Sequence, residues 1–141
     1  MMKAVVILKS GVAPLRRRTA LPQINPRSEL RKINEMKIRD FAKLLPGWDG
    51  YGALPIPGVV MTRALAVISK LKEQPLYVFP SARETIQFEY DIADTSLEIE
   101  IGEKSVEFLS VEGNVTDEWV SSDINDLFRV IDEFHSKAKI L

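Results

Sequence analysis

Four glutamates are the residues of this sequence best placed to do chemistry as a group. Glu89, Glu98, Glu100 and Glu107 lie in TIQFEYD, SLEIEIG and SVEFLSV, where acidic or polar residues alternate with apolar ones. A period of two puts successive side chains on opposite faces of a strand. Ile86, Phe88, Tyr90, Leu97, Ile99, Ile101, Val106 and Phe108 then share one face, and the glutamates share the other. If Phe88 faces Ile99 and Ile99 faces Phe108, Glu89 lies opposite Glu98, and Glu100 lies between Gln87 and Glu107. Like charges directly opposite each other are unfavourable by roughly 0.2–1 kcal/mol per pair. Three agents can relieve them: water and salt, a basic segment lying on the face, or a divalent cation held by the carboxylates. Arg16, Arg17 and Arg18, of this chain or of a second protomer, are the basic candidates. The cation would make Glu89, Glu98, Glu100 and Glu107 a metal site and the protein a carboxylate enzyme, although their spacing matches no distinctive ligand motif.

The remaining reactive residue types are sparse. There is no cysteine and a single histidine, His135, which is expected to satisfy carbonyls near a helix C-terminus. No phosphate-cradling glycine loop, nucleophile elbow or histidine-rich metal signature occurs. The sequence therefore offers no catalytic residue and no cofactor site, which points away from an enzyme.

A second cluster is LLPGWDGYGALPIP, residues 44–57. Its glycines permit turns through positive φ. Asp49 can accept hydrogen bonds from nearby amides, and Trp48 and Tyr51 each join a large apolar body to one polar handle. As a packed plug, Trp48 and Tyr51 fill the gap between the helices and the sheet. As a recognition loop, Trp48, Asp49 and Tyr51 bind a partner. A catalytic Asp49 lacks a companion acid, base or nucleophile. The plug is the favoured structural role, with an outer rim left for recognition.

The stretch LLPGWDGYGALPI also resembles a group of small bacterial and phage proteins sharing a WDGYGA-x-PI motif, with weaker similarity from about Glu29 to Tyr90. The group has no established activity to carry over. The resemblance implies an accessory or antitoxin-like regulatory protein, and the basic residues before Ser28 fall outside its pattern.

Charge divides the chain more sharply than its net value of -1 suggests. Residues 1–32 carry eight Lys or Arg against one acid, Glu29, and the remainder carries 11 against 19. Segregation of this kind makes the two parts attract each other or different partners. Residues 1–27 read as a basic arm, in which AVVIL has the propensity of an edge strand and three prolines interrupt any longer periodicity. Another protein is the expected partner, with self-association and nucleic-acid binding through Arg16, Arg17 and Arg18 as alternatives. Ala4 to Leu8 is too short for the apolar core of a signal peptide, and no apolar run approaches a bilayer span. A cytoplasmic protein without membrane contact is expected.

The elements that must position these residues follow from periodicity. Residues 28–141 read as one α+β domain, an antiparallel β-meander of four to five strands packed on one face by two N-terminal helices and one C-terminal helix. The first helix is expected to start at a Ser28 cap, with Leu30, Ile33, Phe41 and Leu44 on its apolar face. The second spans roughly Val59 to Glu73. The last follows a Ser122 cap and turns Ile124, Leu127, Phe128, Ile131 and Phe134 toward the core.

Overall fold

The alternating segments form a five-stranded antiparallel sheet in which every strand pairs with its sequence neighbours. The strands are β1 (Tyr77–Ser81), β2 (Thr85–Ile92), β3 (Thr95–Ile101), β4 (Val106–Glu112) and β5 (Val115–Ser121). The computed structural model describes residues 26–140, with side chains to residue 138. Arg16, Arg17 and Arg18 lie outside the described residues. The register is the one the alternation predicts: Phe88 pairs with Ile99 and Ile99 with Phe108, while Glu89 pairs with Glu98 and Glu100 with Gln87 and Glu107.

The apolar face carries the core. Ile86, Phe88, Leu97, Ile99, Ile101 and Val106 are fully buried there under α1 (Pro26–Asp40), α2 (Gly58–Lys70) and α3 (Asp126–Ile140). Ile38 of α1, Val60, Ala64, Val67 and Ile68 of α2, and Leu127, Val130 and Ile131 of α3 meet in one cluster. Burying each large aliphatic side chain contributes roughly 1.5–3 kcal/mol, so this layer holds the fold. Tyr90 adds a polar tie, its hydroxyl donating to the Glu73 carbonyl at 2.7 Å. Burial, followed by the charges of Glu73 and Asp132, raises its pKa well beyond the ordinary phenol value.

Helix boundaries differ from the sequence reading for identifiable reasons. α1 begins at Pro26 rather than after Ser28, because proline is well suited to a first turn where its missing N–H is not needed. Its inward face centres on Asn34 and Ile38, both 0% exposed, whereas Ile33 is 48% exposed. Asn34 Nδ2 donates to Gln74 Oε1 at 3.2 Å and to the Pro75 carbonyl at 3.3 Å, fixing α1 beside the start of β1. The same Gln74 donates from Nε2 to the carbonyls of Ile68 and Leu71 at 2.9 and 3.2 Å. It thereby satisfies the end of α2, which stops at Lys70 instead of Glu73. α3 starts at Asp126, after a turn in which Asp123 Oδ1 accepts the Asn125 amide and Ser121 bonds to Asp126. Ser121 and Asp123, rather than Ser122, shape that entry.

Candidate functional site

The loop between α1 and α2 is built from its own polar groups. A short 3-10 turn (Phe41–Lys43) ends α1, and the chain reverses through Gly47 and Gly50 at φ of 79° and 86°. These are values only glycine adopts without strain. The Gly47 amide donates to the Ala53 carbonyl at 2.7 Å, closing the loop at its neck. Asp49 Oδ1 accepts the amides of Tyr51 at 2.9 Å and Ala53 at 3.2 Å. Trp48 Nε1 donates to the Leu54 carbonyl at 2.9 Å. Asp49 and Trp48 are thus the internal frame of the loop.

The apolar side chains divide unevenly about that frame. Ala53 and Ile56 are buried, and Ile56 belongs to the core. Trp48 is half-buried. Tyr51, expected as part of the plug, is instead 89% exposed, with Leu45 at 73% and Leu54 at 51%. Ile56 does the plugging, and the sequence reading missed it because two aromatics close by carry the stronger local signal.

The second candidate, the acidic face of the sheet, is where the alternation places it, and its repulsion is relieved in part from within. Arg83, in the turn between β1 and β2, donates to Glu100 at 3.3 Å and to both oxygens of Glu107 at 3.0 and 3.3 Å. Thr85 Oγ1 donates to the other oxygen of Glu100 at 2.7 Å. Gln87 Nε2 bridges Glu89 at 2.8 Å and Glu98 at 3.2 Å. Partial burial, then the charges of Glu89, Asp91 and Glu100, pushes the Glu98 carboxyl above the ordinary carboxylate range. Among the described residues no three His, Cys, Asp or Glu side chains are gathered as a metal ion would need. Arg83 was not singled out in the sequence, yet the signal existed. With Gln87 opposite Glu100, the turn before Thr85 must lie near Glu100.

His135 Nδ1 lies 2.9 Å from the Ile131 carbonyl, so it is the protonated nitrogen, and the ring stands edge-on to Tyr90 at 5.2 Å. It packs α3 against Tyr90 of β2. No helix among the described residues is long and apolar enough to cross a membrane.

Fold and sites together define a small α+β domain with an open antiparallel sheet and one protruding, hydrogen-bonded loop. No family model matches the chain, and no curated protein or solved structure compared with it matches either.

Proposed function

We propose that the chain is a non-enzymatic protein-binding module whose recognition surface is the loop from Leu45 to Leu54. The observation supporting this reading is the loop's division of labour. Its polar groups are consumed in shaping the backbone, while Leu45, Tyr51 and Leu54 stand in solvent. A pre-shaped loop avoids much of the ordering cost of association, and an exposed tyrosine supplies the aromatic anchor on which interfaces concentrate their energy. An accessory or antitoxin-like regulatory role is the biological form implied by the WDGYGA motif. No specific observation favours the metal-enzyme or nucleic-acid alternatives over this one.

The test compares the full chain with a Tyr51→Ser, Leu54→Ser variant, each purified from its native cells. The expected result is a stoichiometric protein partner on the wild-type chain, and a variant that melts at the same temperature but has lost that partner. Retention of the partner at wild-type yield would overturn the assignment of the surface. Unfolding of the variant would make the loop part of the core and remove the reading's support.

A further inference from the structure

The two edges of the sheet are finished differently. β1 is five residues long, contains Pro80, and has α1 fixed beside its start through Asn34 and Pro75. Proline has no amide to offer a further strand, and a neighbouring helix limits approach, both standard ways of blunting an edge. Among the described residues β5 has neither protection. Its seven residues, VTDEWVS, contain no proline and no basic residue, and Val115 to Val120 are all exposed. Beside it, between α3 and the inner side of β3, β4 and β5, runs a groove of about 120 Å³ lined by apolar Val115, Trp119, Val130 and Phe134 and by charged Asp117 and Glu133. Trp119 forms one wall, stacked on Phe108 at 5.2 Å, yet is 37% exposed. An exposed seven-residue edge with a partly apolar groove alongside is a template for one more strand.

We propose that this strand is residues 3–9 of the same chain, KAVVILK. Alternation matches the segment to the edge. Ala4, Val6 and Leu8 fall on one face, wholly apolar, and suit the groove; Lys3, Val5, Ile7 and Lys9 fall on the other. That second face would lie beside Glu118 and Val120, which share the outer side of the sheet with Leu109 and Glu107. Charge selects the occupant further. Two β5 strands pairing antiparallel about their centre would set Glu118 against Glu118, or Asp117 against Glu118, which like-charge repulsion disfavours. A lysine-flanked strand has the complementary sign.

The chain is long enough to make the connection. Residue 26 opens α1, and Arg27 reaches Glu73 at 3.2 Å, just before β1. Residues 10–25, sixteen in all, span up to about 50 Å when extended. Four inter-strand spacings amount to about 19 Å, so a path around the sheet to its far edge is available.

Hydrogen exchange on the full chain tests the assignment, with Val6→Pro as the variant because it removes a strand amide without touching the described domain. The expected result is a monomer by light scattering in which the outward amides of β5 exchange at least tenfold more slowly in wild type than in Val6→Pro. Amides of β2, β3 and β4 should exchange alike in both. Equal exchange of β5 in the two chains would overturn the proposal. Protection that depends on Val6 but appears only in a dimer would assign the strand to a second copy and overturn the same-chain claim. A dimer with β5 protected in both chains would show β5 pairing with itself and overturn it as well. None of these outcomes depends on the Leu45–Leu54 loop.

Discussion

The loop at residues 45–56 and the acidic face of the sheet both concentrate residues that look functional, and they dispose of them in opposite ways. In the loop the polar groups turn inward: Asp49 and Trp48 bond to backbone, and apolar Leu45, Tyr51 and Leu54 are left outside. On the sheet the carboxylates stay outside and accept from Arg83, Thr85 and Gln87, with Glu98 still repelled by its acidic neighbours, while the apolar residues are buried beneath. A surface whose charges already have partners offers little to a ligand. A surface whose polar groups are spent on shape, leaving an aromatic exposed, offers a rigid anchor. The contrast explains why the loop is the better recognition candidate although the glutamates are the more conspicuous chemistry.

The largest effect should come from separating the loop's buried plug, Ile56, from its exposed rim. Ile56→Ala removes a side chain that is 5% exposed and joined to the core, and is expected to cost about 2–4 kcal/mol in urea unfolding. Tyr51→Ala should stay within about 0.5 kcal/mol of wild type. Comparable losses at both positions would erase the distinction between plug and rim. Next in size is Asp49→Ala, which leaves the Tyr51 and Ala53 amides without their acceptor. It should cost about 1–2 kcal/mol, whereas Asp49→Asn, which keeps an acceptor oxygen, should cost less. Equal losses for Ala and Asn would mean that the charge of Asp49, and not its hydrogen bonds, shapes the turn.

On the sheet the corresponding change is Arg83→Ala. Arg83 is largely solvent-exposed, with a side chain 63% accessible, so its removal should cost less than about 1 kcal/mol. The loss should be larger at about 0.01 M salt than at about 1 M, because screening substitutes for the missing cation. A salt-independent loss would show that Arg83 acts through packing of the β1–β2 turn rather than by neutralising Glu100 and Glu107.

What the sequence disclosed and what it concealed divide along the same line. The strand register and the row of glutamates were legible because a period of two leaves a single way to bury Phe88, Ile99 and Phe108 together. The first helical segment was legible in part: Phe41 and Leu44 pack against the core as their spacing requires, but the inward face of α1 itself was not. Helical spacing picks out Ile33, but Asn34 is buried because Gln74 and Pro75, some forty residues away, supply its partners. Tyr51 was read as filling because it is large and apolar. Its exposure follows from Gly47, Gly50 and the Asp49 bonds, which set the direction of the turn. Residue type predicts burial where a regular element sets direction, and fails where a turn does.

The smallest expected effect bears on whether the acidic face is balanced internally or waits for a cation. Glu98 is more easily protonated in the folded chain than an ordinary glutamate, first through partial burial and then through Glu89, Asp91 and Glu100. An acid whose folded pKa is raised weakens the fold once it is ionised, so its penalty is present above the raised pKa. That penalty fades as pH falls through the raised pKa and is gone below the ordinary value of 4.5. Glu98→Gln should therefore be slightly more stable than wild type at neutral pH, by less than about 1 kcal/mol because the site is well solvated. The difference should close on acidification below pH 4.5 in thermal melts of the two chains. The opposite sign at neutral pH, with the variant less stable, would mean that favourable partners of the Glu98 charge outweigh Glu89, Asp91 and Glu100, beyond what the neutral Gln87 amide supplies. A basic segment such as Arg16 to Arg18 or a bound divalent cation would have that effect, and the acidic face would then recover the standing as a site that Arg83 and Gln87 take from it.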